Sequence, residues 1–268
     1  MIPRNWLMPA LAAVSSIVVA AGEWLRPQVV QVELPVPNLP ASLDGFRVCQ
    51  LSDFHRGPLV PSSLIERGSE AAMAQDPDLI VLTGDFVSAS WRYADSCAGA
   101  LSNLSAPRGV YAILGNHDYW EGATVISRNL ERRGIGVLCN ESVPLAQEGW
   151  LCGLDDVIAG KPDFDRTLQN VPEDSFKLLL CHEPDHVIEA SLHGFQVQLS
   201  GHTHGGQIRL PFFGPIVLPE QGQKFPAGLA RYRDTLLYTN VGLGVVTVPL
   251  RVQCPPEVTL ITLRRAAG

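Results

Sequence analysis

None of the six cysteines (Cys49, Cys97, Cys139, Cys152, Cys181, Cys254) falls into a CxxC pair, which speaks against a zinc ribbon or a dithiol redox centre. Cys49, Cys139 and Cys181 lie inside apolar, strand-like runs, where a thiol packs as a small hydrophobe, so buried free thiols are expected. Basic runs are missing as well, and the net charge is −7, so nucleic acid is not an expected partner. Internal repeats and low-complexity tracts are also absent, which excludes a solenoid.

One long stretch lacks charge altogether. From Asn5 to Gly22 there is no ionisable side chain, and its centre, Leu7–Ala21, is rich in Ala, Val, Leu and Ile. The run is short for a membrane helix and long for the core of a signal peptide. Residues 1–27 are therefore expected to be a hydrophobic signal or membrane-anchor segment, with Val19-Ala20-Ala21-Gly22 offering a cleavage site. The protein is then membrane-associated or, if cleaved, exported. Arg4 favours an outward-facing domain, while the unpaired cysteines lean towards a reducing side.

Residues 28–268 read as one α/β domain. Strands are expected at Val29–Glu33, Phe46–Leu51, Leu79–Thr83, Val110–Leu114, Ile135–Cys139, Trp150–Leu154 and Phe176–Cys181. Phe195–Leu199, Gln207–Leu210, Leu236–Asn240 and Val258–Leu263 follow. Helices are expected over Pro61–Gln75, Trp91–Leu104, Ala123–Arg133 and Pro184–His193. Ser63 and Glu66 are spaced as a capping box for the first. Strands alternating with helices, then strands dominating, indicate two sheets or one large mixed sheet.

Five polar motifs each stand where an apolar run ends: Asp53-Phe54-His55, Gly84-Asp85, Gly115-Asn116-His117-Asp118, His182, and Gly201-His202-Thr203-His204. The ends of strands in an open α/β sheet are where ligands bind. Asp, His and Asn without sulfur suit Mn²⁺, Fe²⁺ or Zn²⁺. Two such ions form a recurrent device for cleaving phosphate esters. No serine or cysteine is placed as a nucleophile, so no covalent intermediate is needed.

In this order the motifs resemble the calcineurin-like metallophosphoesterases, and the resemblance runs from Val48 to Leu263. His204-Gly205-Gly206-Gln207-Ile208, Gly242-Leu243-Gly244 and Pro249-x-Arg251 are similar to a bacterial branch whose members commonly begin with a hydrophobic segment. That branch includes phosphodiesterases and a UDP-2,3-diacylglucosamine hydrolase. The resemblance implies a four-layer α/β/β/α sandwich with two mixed sheets flanked by helices. It implies a dinuclear divalent centre, Mn favoured, with Asp53, His55 and His204 holding one ion and Asn116, His182 and His202 the other. Asp85 would bridge them. His117 would act on the phosphoryl or leaving-group oxygen, with Asp118 orienting its ring. Ser88 stands where many members carry an acid after the bridging Asp, so support around Asp85 is expected to differ.

The expected activity is hydrolysis of a phosphodiester or pyrophosphate by a metal-bridging hydroxide. A nucleotide-linked lipid is the first-choice substrate, which makes the membrane the expected partner. A soluble phosphodiesterase or phosphomonoesterase is the alternative, and a non-catalytic metal-binding scaffold is a rival of another class. Arg251 is a candidate for binding substrate phosphate, or it pairs with a surface carboxylate. His186 and His193 are expected to be solvated. The uncharged loop Pro211–Pro219 either packs over the second sheet or forms a wall for acyl chains or a bilayer contact.

Overall fold

The computed structural model describes residues 25–146 and 148–266, so the expected N-terminal signal or anchor lies outside the described residues. Among them, no helix is long and apolar enough to cross a membrane. The chain starts with β1 (Gln28–Val36), β2 (Arg47–Leu51), β3 (Leu79–Thr83), β4 (Val110–Ile113) and β5 (Gly136–Val137). Helices α1 (Ser62–Met73), α2 (Ala94–Ala100), α3 (Asn116–Glu121) and α4 (Ala123–Glu131) connect these strands. Next come β6 (Glu141–Ala146), β7 (Gly149–Gly153), β8 (Phe176–Leu180) and β9 (Val197–Ser200), with the short helices α5 (Phe164–Leu168) and α6 (Val187–Ala190). A ribbon of β10 (Arg209–Leu210) and β11 (Gly214–Pro215) precedes β12 (Gly228–Tyr232), β13 (Thr235–Thr239) and β14 (Glu257–Arg265).

Two six-stranded mixed sheets result, in the orders β1-β14-β2-β3-β4-β5 and β12-β13-β9-β8-β7-β6. Period-two alternation explains the layers. In β3, Ile80 and Leu82 point to the α1/α2/α4 side, where they join Ile65, Ala98 and Ile126. Leu79 and Val81 point the other way and meet Leu178, Leu180 and Val197 of the second sheet. The far face of that sheet packs Cys152, Leu179 and Phe195 under Phe164 and Ala190. Strands covered on both faces read as continuous apolar runs, as β3 and β8 do. The four-layer α/β/β/α sandwich is therefore observed.

Several expected elements differ in detail. The Ser63–Glu66 capping box does not form: the helix opens two residues earlier than that box requires, with Pro61 at the cap position and no side-chain cap bond. The helix expected from Trp91 begins as a 3₁₀ turn, Trp91–Tyr93, capped by Ser90, and ends at Ala100. Strands β6 and β12, both at sheet edges, were not expected. Their half-exposed, mixed sequences carry too little apolar signal. The six cysteines are free thiols, five of them buried.

Candidate metal centre

Strands β2, β3 and β4 are mutually parallel, as are β8 and β9. Their C-terminal ends form one rim, stitched across the two sheets by polar contacts. Gln50 Nε2 donates to Thr83 Oγ1 at 3.0 Å and to the carbonyl of Ser200 at 2.9 Å. Just beyond the strand ends lie Asp53, His55, Asp85, Asn116, His182, His202 and His204, all buried. Asn116 opens the short helix α3, which sequence reasoning treated as a loop.

Local backbone geometry aims these side chains. Asp53, His55, Asp85, His202 and His204 all have positive φ, between 45° and 72°. Non-glycine residues rarely adopt this region, and such strain gathers at functional sites. Gly84, at φ 95°, has no room for a side chain: a Cβ there would lie 2.7 Å from both Gly115 N and His182 Nδ1.

Asp85 is the hub. Its Oδ2 stands 3.4 Å from His55 Nε2 and 3.2 Å from His182 Nε2, while Oδ1 accepts the backbone N–H of His117 at 3.0 Å. Asp53 Oδ1 lies 3.4 Å from His204 Nε2, and both Asp53 oxygens accept the N–H of His202 at 3.0 Å. The Nε2 atoms of His55 and His204 approach to 2.9 Å. Potential ligand atoms thus gather in three overlapping groups: Asp53, His55 and His204; His55, Asp85 and His117; and Asp85, His182 and His202.

The donor chemistry fits divalent cations. His182 Nδ1 donates to the carbonyl of Thr83 at 2.6 Å, so in the neutral ring Nε2 is a bare lone pair facing a carboxylate. His202 Nε2 likewise donates to the carbonyl of Glu220, leaving Nδ1 free. Asn116 Oδ1 and His182 Nε2 are buried without hydrogen-bond partners. Buried acceptors facing one another are costly unless a cation lies between them.

Charge bears this out. Burial pushes His55 down to about 3, His202 down to about 4 and His204 well below its ordinary value, so all three are neutral. Burial also pushes Asp53 up to about 6. For Asp85 burial acts upward too, but the charge of His182 outweighs it and holds the carboxyl well below the usual range. His182 is the mirror image: burial acts downward, and the Asp85 and Asp53 carboxylates outweigh it, raising the ring well above the usual histidine value.

The non-ligand expectations need correction. Asp118 does not orient His117. Its carboxylate is fully buried and accepts four backbone N–H groups, from Asp85, Phe86, Val87 and Gly115. It therefore clamps the Asp85 loop to the turn before α3. Burial, then the neighbouring Asp85 carboxylate, push Asp118 up to about 8 against the pull of those N–H bonds. The His117 ring instead stands edge-on between His55 and Trp120, with centroids 4.8 Å away on each side. Trp120 escaped sequence reasoning because a lone aromatic after a motif carries no signal.

Arg251 does not pair with a surface carboxylate; it lies behind the centre, with Nη2 3.2 Å from His204 Nδ1. It is buried, and its guanidinium donates to the carbonyls of Val241, Gly242, Gly244 and Cys254. Its planar fork suits a loop whose carbonyls converge outside the sheets. That loop braces the site, since Gly244 N–H donates to the Asp53 carbonyl at 2.7 Å. His186 and His193 are half-buried and stack on Phe164, rather than being solvated. Ser88 does stand in the supporting shell, with Oγ 2.6 Å from His55 Nδ1.

The centre opens into a cavity of about 650 Å³, lined by Asp85, Asn116, His117 and His202 on one side and by Ile158, Ile216, Val217, Val246 and Val248 on the other. Gln207 shapes the apolar wall, donating to the carbonyls of Val246 and Val248 and accepting the Val246 N–H.

Comparison with known proteins agrees with this geometry. The calcineurin-like phosphoesterase family model matches residues 46–206. An uncharacterized metallophosphoesterase of Bacillus subtilis, YkuE, is 32% identical over 97% of each chain. The phosphodiesterase YaeI of Escherichia coli is 34% identical over 81% of this chain and 82% of its own. A dimetal phosphatase from Danio rerio superposes with a TM-score of 0.50 at 13% identity, covering 82% of this chain and 99% of that one, a likeness of fold. The chain belongs to the calcineurin-like phosphoesterases and is a metal-dependent phosphoester hydrolase with a candidate dimetal site.

Proposed function

We propose that this protein hydrolyses a phosphodiester or pyrophosphate whose organic substituent is apolar, at a centre of two divalent cations. The carrying observation is Asp85, with one carboxylate oxygen shared between His55 and His182. Asp53, His55 and His204 would hold one cation, Asn116, His182 and His202 the other, and Asp85 both. Bound there, the pair supplies Lewis-acid stabilisation of phosphate charge and a water acidic enough to attack at neutral pH. The mixture of oxygen donors with imidazole suits Mn²⁺, Fe²⁺ or Zn²⁺ without choosing among them; Mn²⁺ is the ion favoured here.

The chain's own groups do the rest. His117 lies at the cavity edge with its ring held by Trp120, placed to hold a proton at the leaving-group oxygen. Asp118, Gly84 and the Thr83 carbonyl keep the ligand loops in register. The wall of Ile158, Ile216, Val217, Val246 and Val248 supports a substrate with an acyl portion, such as UDP-2,3-diacylglucosamine. A soluble diester is the second reading, favoured by the likeness to a relative named as a phosphodiesterase.

The test is metal analysis of the purified protein, followed by hydrolysis of a bis-aryl phosphodiester and of UDP-2,3-diacylglucosamine with and without chelator. Bound metal with no chelator-sensitive turnover on either would leave the non-catalytic scaffold standing. Turnover of the aryl diester alone would select the soluble reading.

A further inference from the structure

The rim carrying the metal centre also carries the most exposed apolar surface described for this protein. In the β10–β11 ribbon, Phe212 is 106% exposed and Phe213 86%, flanked by Leu210, Ile216 and Val217, also exposed. No charged residue interrupts Leu210–Pro219. The expectation that this loop packs over the second sheet is overturned for its tip. Two exposed phenyl rings side by side, within a larger apolar patch, are unusual on a surface meant to face water alone.

Two further observations say what covers them. The patch is continuous with the cavity mouth, because Ile216, Val217 and Val248 are both exposed and part of the cavity lining. The described chain also enters on this side: Leu25 packs on Val60, Leu64 and Val245, immediately before the Val246–Val248 wall. Arg67 Nε holds the Leu25 carbonyl at 3.0 Å. Leu25, the first described residue, therefore lies beside the same mouth from which the phenylalanines project, and the uncharged run Asn5–Gly22 precedes it in the sequence. A protein partner would account for the patch but not for that coincidence.

We infer that the cavity rim is a bilayer-docking face, on which Phe212 and Phe213 insert among lipid acyl chains and hold the cavity mouth at the membrane surface. A phosphoester presented from the bilayer then reaches the metal centre without leaving the lipid, with its apolar portion running along Val217 and Val248. The proposal takes the metal centre as the site being served, and it is tested apart from that chemistry.

The experiment uses the full chain reconstituted into vesicles of phosphatidylethanolamine and phosphatidylglycerol. An environment-sensitive fluorophore is attached through Phe213→Cys in a Cys139→Ser background, since the other five native thiols are buried. A control label goes on Arg132→Cys, which is exposed just past α4 and at the opposite edge of the parallel strands. Brominated phospholipid is expected to remove about half of the emission at position 213 and almost none at position 132, as for a side chain among acyl chains. An unquenched label at 213 while the chain floats with the vesicles would overturn the proposal, and so would equal quenching at both positions. Soluble aryl-diester turnover by each labelled protein reports folding and tests the proposed chemistry separately.

Discussion

Asp85 Oδ2 faces His182 Nε2 at 3.2 Å while His182 Nδ1 is committed to the Thr83 carbonyl at 2.6 Å. The neutral ring has no proton left for Asp85, so the pair requires either an imidazolium or a cation between them. Metal binding should therefore displace a proton from His182. Calorimetric titration of the metal-free protein with Mn²⁺ at pH 7, in two buffers of different ionisation enthalpy, is expected to show release of about one proton. Release of none would mean that His182 is neutral without metal.

Asp85→Asn keeps the shape but removes the charge shared by both halves of the centre. Metal affinity and aryl-diester turnover should fall together, by about 100-fold or more in turnover. Thermal stability of the metal-free variant should fall at neutral pH, because the buried His182 ring loses the carboxylate that its raised pKa depends on. Unchanged affinity for both ions would disprove the bridging role.

His117→Ala is expected to retain metal and lower kcat by about 10²–10⁴-fold, the usual contribution of a positioned acid or base. Loss of stoichiometric metal would move His117 among the ligands, an outcome to watch because its ring shares a cluster with His55 and Asp85.

Ser88→Ala removes the hydroxyl 2.6 Å from His55 Nδ1. Supporting partners of metal-bound histidines are worth about 10–100-fold in affinity or activity. The expected result is weaker metal binding with an unchanged melting temperature in chelator, read by metal titration and thermal unfolding.

Asp118→Ala should act differently, as a folding defect. It would orphan four buried N–H groups, each costing about 1–3 kcal/mol. Urea unfolding in chelator should show a loss of more than about 3 kcal/mol, allowing for partial solvation of the gap. A stable variant with a specific loss of kcat would restore the role of orienting His117.

The sequence alone determined the central strands and the types of side chain gathered at their ends, while the four layers were implied by the family resemblance. Leu79–Thr83 and Phe176–Leu180 were legible as strands because burial on both faces demands unbroken apolar runs. Asp53, His55, Asp85, Asn116, His182, His202 and His204 were legible because polar residues clustered at the ends of such runs are rare without a purpose. Tertiary structure decided how the site is held. The four N–H donors to Asp118 come from two loops about 30 residues apart, and the carbonyls that engage Arg251 belong to a loop whose shape no local propensity encodes. The exposure of Phe212 and Phe213 was equally hidden, since an apolar loop reads the same whether it is packed or projecting. Periodicity reports which face of an element is buried, whereas hydrogen bonds between distant loops and the coverage of a loop tip depend on where the rest of the chain goes.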